Sequence, residues 1–484
     1  LKLPATIGSI VLAAAALLAG CTLGPTYERP AAELPEHWAE SPQKGVKAPA
    51  TRWWMMYGDP ALERLVDEAL ASNQDLALAT ARVDEARALS QIADSQRMPT
   101  VDATFERDRF RFSERAPIPV PSNALESNSY RAKLNVAYEV DLWGRLRSAS
   151  NAARAELLAS EANRETVRIA LTTEVVRAYF TLVAFDAQVE ATRRSLGLRE
   201  EGLDLQKVRR DAGLINEFNL RQLEGEVAAA RAQLPALEAN RTAQELALAV
   251  LLGRSPRAIM EGAVERRPGQ GEPAAPVVPE GLPSDLLLRR PDVVSAELVL
   301  IANNARISEA RAALFPRIGL SGYLGSESTA LSNLFTGPAG IWSLGFALAQ
   351  PIFQGGRLFA EVDAVKARER QAVAQYQKTL QEAFREVRQA LNTQVKAREA
   401  YEAESARTVA LGEALRLARI RYRNGLLSQL EVLDSERNLL QAELNRSDAL
   451  RVQRAAVADL VKALGGGWQG FDAAPVADAS AAQR

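Results

Sequence analysis

A chain of 484 residues with 25% charged residues and a net charge of -1 has no bulk charge with which to hold a polyanion. A single histidine and a single cysteine exclude His-pair zinc motifs and C-x-x-C sites, and no Walker A, G-x-S-x-G or dinucleotide fingerprint occurs. Carboxylates are plentiful but lie among Arg and Lys on helical stretches, as solvated faces do, so no enzyme and no nucleic-acid binder is expected.

The N-terminus carries a sharp local signal. Lys2 supplies a positive charge, and Ile7 to Leu18 is an apolar run too short to span a bilayer and suited to a signal h-region. It ends in Leu18-Ala19-Gly20-Cys21, which resembles a bacterial lipobox. That resemblance implies cleavage before Cys21 and acylation of its sulfur and new amino group; stable anchoring needs two or more chains. The alternative is a plain cleaved signal with an incidental cysteine, or a buried thiol. Thr22 after the cysteine fits passage to an outer membrane. Beyond Cys21 no apolar stretch is long enough for a transmembrane helix, so any membrane entry must be made by strands.

Residues 1–20 thus read as a lipoprotein signal peptide and 21–58 as a Pro-rich, lipid-anchored linker, with Trp53 and Trp54 docking part of it. Residues 59–98 read as one helix, with Asp59 as N-cap and Pro60 at its first position. Val101 to Phe112 forms a weak strand. Tyr130 to Leu142 alternates strictly, with Leu134, Val136, Tyr138 and Val140 on one face and Lys133, Asn135 and Glu139 on the other. A long helix follows from Arg145 to Asp211. Val175, Leu182, Val189, Leu196 and Leu203 repeat along it every seven residues, a coiled-coil seam. After a turn at Gly213 a return helix reaches Leu252, kinked at Pro235.

The chain then repeats itself. Shifted by 212, Leu205–Gly213 falls on Leu417–Gly425 and Gly144-Arg-Leu146 on Gly356-Arg-Leu358; before the strands the shift is 217, which brings Met98-Pro99 onto Phe315-Pro316. The expected division is a first repeat at 59–253, an inter-repeat linker at 254–282, a second repeat at 283–465 and a flexible tail at 466–484. Each repeat holds one hairpin, Ile318–Gly325 and Trp342–Ile352 in the second, with strands of about the length that crosses a membrane at a tilt. Two hairpins cannot close a barrel, and open edges are not tolerated in lipid, so several chains would have to share one. A 65-residue helix is about 100 Å long at 1.5 Å per residue, and must pack on something equally long.

Seven motifs in order resemble one family. They are Gly24-Pro25-x-Tyr27-x-Arg29-Pro30; Trp53-Trp54-x-x-Tyr57-Gly58-Asp59-Pro60; Glu139-Val-Asp-Leu-Trp-Gly-Arg-Leu-Arg147; Gly281-Leu-Pro-Ser-Asp-Leu-Leu287 with Arg289-Arg-Pro-Asp292; Ala310-Arg-Ala-Ala-Leu-Phe-Pro316; Arg421-Tyr-Arg-x-Gly425; and Leu464-Gly-Gly-Gly-Trp468. The chain is similar to outer-membrane efflux proteins of the TolC type, in the OprM- and CusC-like lipoprotein branch. The resemblance implies a mainly α fold with membrane β, a trimeric α/β barrel. Four strands per protomer would enter a shared twelve-stranded outer-membrane barrel, and the long helices would form a periplasmic α-barrel. It implies a passive exit duct of a tripartite efflux system, partnered by a periplasmic adaptor and an inner-membrane RND pump, with no cofactor beyond the lipid on Cys21.

The resemblance also places a gate where the helix pairs turn at Gly213 and Gly425. Asp211, Leu415, Leu417, Arg419, Arg421, Tyr422 and Arg423 are its candidate residues. The family's acidic ring is not matched, since Arg419 stands where an aspartate is expected. Arg419, Arg421 or Arg423 is expected to bond to Asp211, Glu217, Glu431 or Asp434, and Leu415, Leu417 and Tyr422 are candidates for an apolar constriction. Rival readings are a poreless structural coiled-coil lipoprotein, or the same fold used for metal export or type I protein secretion.

Overall fold

The computed structural model describes residues 24–31, 51–115, 125–261, 264–266 and 288–468, with positions 121, 276 and 470. Cys21, the signal stretch, most of the inter-repeat linker, Ser284–Leu287 and nearly all of the tail lie outside the described residues. In chain order the elements are α1 Pro60–Ser72, α2 Gln74–Ser95, β1 Thr100–Arg111, β2 Glu126–Val140, α3 Arg145–Asp211 and α4 Glu217–Leu251. Then come a short α5 Pro256–Glu261, α6 Pro291–Ala312, β3 Arg317–Ser328, β4 Gly340–Ala349, α7 Arg357–Arg423 and α8 Gln429–Ala463. The long helices α3 and α7 have 67 residues each, and their return partners α4 and α8 have 35 each.

The expected single helix over 59–98 is two helices. Asn73 takes an extended backbone between them, and its Oδ1 accepts from the Asp75 and Leu76 amides, capping α2. The same side chain donates through Nδ2 to the Leu251 carbonyl at 2.9 Å, fixing the break against the end of α4. Pro235 does not interrupt α4, which runs through it as one helix.

The four strands form one antiparallel sheet in the order β1-β2-β3-β4. Thr100 pairs with Ala137, and Arg317 with Ala349. The two hairpins therefore share a register, with their first strands related by the shift of 217 and their second strands by 212. The difference lies wholly in the connection from β1 to β2. Among the described residues of the protomer, the outer edges of β1 and β4 are unpaired.

Contacts divide the chain into two units. The first comprises 24–31, 82–160 and 295–376 among the described residues and contains the sheet. Here the Glu139-to-Arg147 motif is a strand-to-helix junction. Asp141 accepts from the Leu146 and Arg147 amides and so caps α3; Arg145 pairs with Glu139; and the Trp143 Nε1 donates to the Pro316 carbonyl at 2.8 Å. The Gly24-to-Pro30 motif is a strap on α6. Arg29 donates two hydrogen bonds to the buried Glu297 carboxylate at 2.7 and 2.9 Å, and Tyr27 Oη donates a third at 3.0 Å.

The second unit holds both helical turns. Trp53, Trp54 and Tyr57 are buried in a 3-10 turn, with the Tyr57 ring 4.8 Å from Phe180. Asp59 caps α1 and also accepts from Tyr179 Oη at 2.5 Å, so the Trp-Trp motif docks the linker's end onto α3. Arg290, 6% exposed, donates to Asp292, to Glu386 and to the Ala463 carbonyl that ends α8. The heptad seam of α3 is buried at Val175, Leu182, Val189 and Leu203. No helix of the described residues is long and apolar enough to cross a membrane.

Gly253 and Gly213 share a left-handed conformation, at φ 70° and 72°. A Cβ at Gly253 would lie 2.1 Å from the Ser72 carbonyl oxygen, whereas one at Gly213 meets nothing within 4 Å. Gly213→Ala is expected to cost about 1 kcal/mol of strain, and Gly253→Ala about 3 kcal/mol, because the backbone at Ser72 must also shift. Thermal unfolding of the detergent-solubilised protein reads the difference; equal shifts would contradict the close approach.

Candidate functional site

The chemistry of a duct lies in its lining and its ends, and two regions carry it. In the second unit, each long helix ends in the same five-residue turn, Ala212–Asn216 and Asn424–Ser428. Gly213 and Gly425, both at φ 72°, close matching C-terminal motifs. Leu214 and Gly213 donate to the Arg209 and Arg210 carbonyls, and Leu426 and Gly425 to those of Arg421 and Tyr422. The return helices then start on side-chain caps. Asn216 accepts from the Asn219 amide, and Ser428 forms a reciprocal capping box with Glu431.

Two apolar clusters and a pair of hydrogen bonds hold these turns. Leu203, Leu220, Leu223 and Val227 of the first helical hairpin bury together with Leu433 of the second. Leu415, Ala418 and Val432 form a second cluster, against which Tyr422, Leu427 and Leu439 pack. Between the hairpins, Tyr422 Oη accepts from Gln206 Nε2 at 2.7 Å and from Arg209 Nη1 at 2.6 Å. Gln206 is buried, so these bonds satisfy a side chain that water does not reach.

The expected gate residues separate on this geometry. Arg419 pairs with Glu436 at 2.8 Å and with none of the acids expected for it, the nearest to Glu436 in sequence being Asp434. Each of those acids is engaged locally: Asp211 with Arg210, Glu217 with Arg210 and Arg221, Asp434 with Arg437, and Glu431 with Ser428. For Glu217 and Asp434 the reason is helical geometry, which sets Arg221 and Arg437 within about one turn of them. Arg421 and Arg423 are exposed and make no ion pair among the described residues. Leu415 is buried within its own hairpin, packed with Ala418 and Val432. Leu417 is exposed, and Tyr422 is the acceptor that joins the hairpins. Gln206, Arg209 and Glu436 were not expected. A glutamine three residues beyond the seam position Leu203 is the one signal that pointed to Gln206.

In the first unit the sheet presents two unlike faces. One carries Val101, Phe105, Leu134, Val136, Leu320, Leu324, Trp342, Leu344 and Phe346, all exposed, with Leu344 at 81%. The register sets them side by side: Val101 by Val136, Leu134 by Leu324, and Leu324 by Trp342. The opposite face is polar and internally paired, Arg131 with Glu106 and Asp108, and Lys133 with Glu106. A band of exposed apolar side chains backed by a charged face fits hydrocarbon outside and water inside.

These features define an outer-membrane channel protein, built from membrane strands and long helical hairpins. The chain belongs to the outer membrane efflux protein family, whose pattern it matches over residues 65–254 and 282–466. It is 36% identical over 464 residues to outer membrane protein OprJ of Pseudomonas aeruginosa, covering 95% of this chain and 96% of that one. It is likewise 36% identical over 469 residues to the toluene efflux pump outer membrane protein TtgI of Pseudomonas putida, covering 95% and 98%. The crystal structure of the Campylobacter jejuni CmeC outer membrane channel superposes with a TM-score of 0.86 at 27% identity, covering 94% of this chain and 96% of that one. The protein is therefore an outer-membrane component of an efflux system, an exit duct with a TolC-like fold.

Tyr422→Phe is expected to leave the buried Gln206 amide with only its long 3.4 Å bond to Gln429 Oε1, at a local cost of about 1–3 kcal/mol. Hydrogen exchange should accelerate about tenfold or more in peptides spanning 203–216 and 415–430 while the sheet is unaffected. Unchanged exchange there would show that the tie carries no weight. A second expectation concerns acid. Hydrogen bonds from the Ser428 amide and hydroxyl, aided by Arg421, hold Glu431 below the usual carboxylate range. A depressed folded pKa makes the cap complete above the ordinary range and removes it as pH falls through the depressed value. Exchange at Gln429–Leu433, relative to intrinsic rates, should rise across that acid window, and Glu431→Gln should abolish the dependence. A variant with the same pH profile as the parent would exclude the cap as its source.

Proposed function

We propose that three copies of the chain form the duct, each supplying its four strands to one twelve-stranded barrel. The carrying observation is the sheet itself: an apolar outer face with both edges unpaired in the protomer. Edges of that kind cannot stand in hydrocarbon, where each unbonded amide or carbonyl costs several kcal/mol, so β4 of one copy must pair with β1 of the next. Acylation of Cys21 anchors each protomer in the same membrane. A periplasmic adaptor docks at the helical turns, where a groove between α7 and α8 combines Leu417, Leu427 and Leu430 with Arg421, Arg437 and Asp434. Through it an RND-class pump delivers cargo, and the duct performs no catalysis. Membership of an efflux family and likeness to a toluene pump component support small, largely apolar molecules as that cargo.

The same turns form the gate. Arg421 and Arg423 make no salt bridge among the described residues, Arg421 acting on Glu431 only through its field, and this leaves both available to a neighbouring protomer. Opening is a switch between two packings of the helix pairs.

The test is the mass of the full-length protein in detergent together with its single-channel conductance in planar bilayers. A trimer with discrete, mostly closed events is expected, and Arg421→Gln with Arg423→Gln is expected to raise the open fraction about tenfold, as loss of about 1.4 kcal/mol from the closed state would do. A monomer that never conducts would favour a poreless lipoprotein, and a conducting trimer indifferent to both substitutions would remove these arginines from the gate.

A further inference from the structure

The apolar face of the sheet is not apolar to its end. Alternation places Arg107, Arg109 and Arg111 of β1 on that face, in line with Val101 and Phe105. With Glu126 of β2 they are its only charged strand residues among the described ones, and all four lie at the end where β1 turns into β2. The long helices leave from the other end, so this is the external end of the sheet. At about 3.4 Å per residue the three arginines span roughly 13 Å, beginning one side-chain step beyond Phe105.

Their contacts leave cationic capacity. Arg107 stands opposite Tyr130 with its guanidinium 5.7 Å from the ring centroid, and has no carboxylate partner among the described residues. Arg109 reaches Glu126 at 2.8 Å and Arg111 reaches Glu114 at 3.1 Å. Both pairs are exposed, the arginine side chains at 70% and 64%, and such pairs are weak enough to exchange for another anion. Arginine presents a planar fork that matches phosphate oxygens two at a time. On the water-facing side the matching cation, Arg131, is instead held between two carboxylates.

We propose that Arg107, Arg109 and Arg111 form a binding site for the phosphate groups of an outer-leaflet glycolipid, whose acyl chains lie along the apolar band beneath them. The occupant follows from continuity: the arginines prolong the lipid-facing surface without a break, at the depth where the hydrocarbon gives way to headgroups. The site rests on the reading of the sheet as a membrane barrel, and it occurs once per protomer.

The probe is diphosphoryl lipid A, titrated into the full-length protein in dodecyl maltoside and read by native mass spectrometry, with trimer mass and conductance measured on the same preparation. The combined variant Arg107→Gln, Arg109→Gln, Arg111→Gln is expected to retain it about tenfold less well, for three lost charge-assisted contacts. It should retain dephosphorylated lipid A as the parent does. Arg131→Gln, on the water-facing side, should leave retention unchanged. If the combined variant fails to assemble, Arg107→Gln alone should still show about a threefold loss. A conducting trimer that retains diphosphoryl lipid A equally well in the combined variant overturns the site. So does an equal loss with the dephosphorylated lipid, which would mark apolar contact, or displacement by equimolar inorganic phosphate, which would mark a free-anion site. A preparation without trimers or conductance in the parent would instead fail the barrel reading itself.

Discussion

A backbone amide at the edge of a sheet has water to bond to in solution and nothing to bond to in hydrocarbon. That constraint governs the first unit of this protein. It is compatible with a hairpin in each repeat and not with a lone strand, since two strands return the chain to the end of the sheet from which the helices leave. It explains why the two hairpins share a register to the residue, Thr100 with Ala137 and Arg317 with Ala349, although their connecting loops differ. Slipping either register by one position would turn Leu134 or Leu344 toward water and Lys133 or Ser343 toward lipid. The loop from β1 to β2 faces no such penalty, and the difference in length between the repeats has collected there.

The helical hairpins obey a different rule. Each turn must satisfy the carbonyls at the end of one long helix and the amides at the start of the next within five residues. Glycine at φ 72° and a capping Asn or Ser solve this identically in both repeats. The side chains then break the symmetry. Arg209 finds Tyr422 in the second repeat, but the position that matches Tyr422 in the first repeat is Arg210, which offers no acceptor. The bond that joins the hairpins within a protomer therefore has no equivalent that Arg421 could make to a copy of the first repeat. Alternate contacts around a closed ring of hairpins would differ in strength, and a ring with unequal seams opens at the weaker ones.

Much of this was legible from residues. The shift of 212, the alternating strands and the glycine turns are local signals, because period and φ act on neighbours in sequence. The break at Asn73 was not legible: Leu65, Val66, Ala69 and the residues beyond keep a helical apolar pattern, and only the Leu251 carbonyl, distant in sequence, makes use of an extended residue there. The partners of the arginines at the turns were hidden for a related reason. Sequence shows that charges of both signs gather there, but not which faces of the two helices of a hairpin meet, and Arg419 of α7 with Glu436 of α8 is such a choice.

The strap at Tyr27 and Arg29 shows how the lipid end of the chain is joined to the sheet. Glu297 is buried on α6, and a carboxylate there is tolerable only with partners. Arg29 supplies a fork of two hydrogen bonds, and Tyr27 donates from a phenol that burial and the adjoining carboxylate hold protonated well above its ordinary range. The contact is therefore insensitive to pH across the neutral range, as a permanent fastening should be. Gly24, whose Cβ would collide with Ser308, allows the chain to lie flat against α6 before that point. Cys21 precedes Gly24 by only three residues, so the acylation proposed there would put the lipid close in sequence to this strap. Strap and sheet belong to the same unit. With the proposed acylation, lipid and strands would both act on this one unit of the chain.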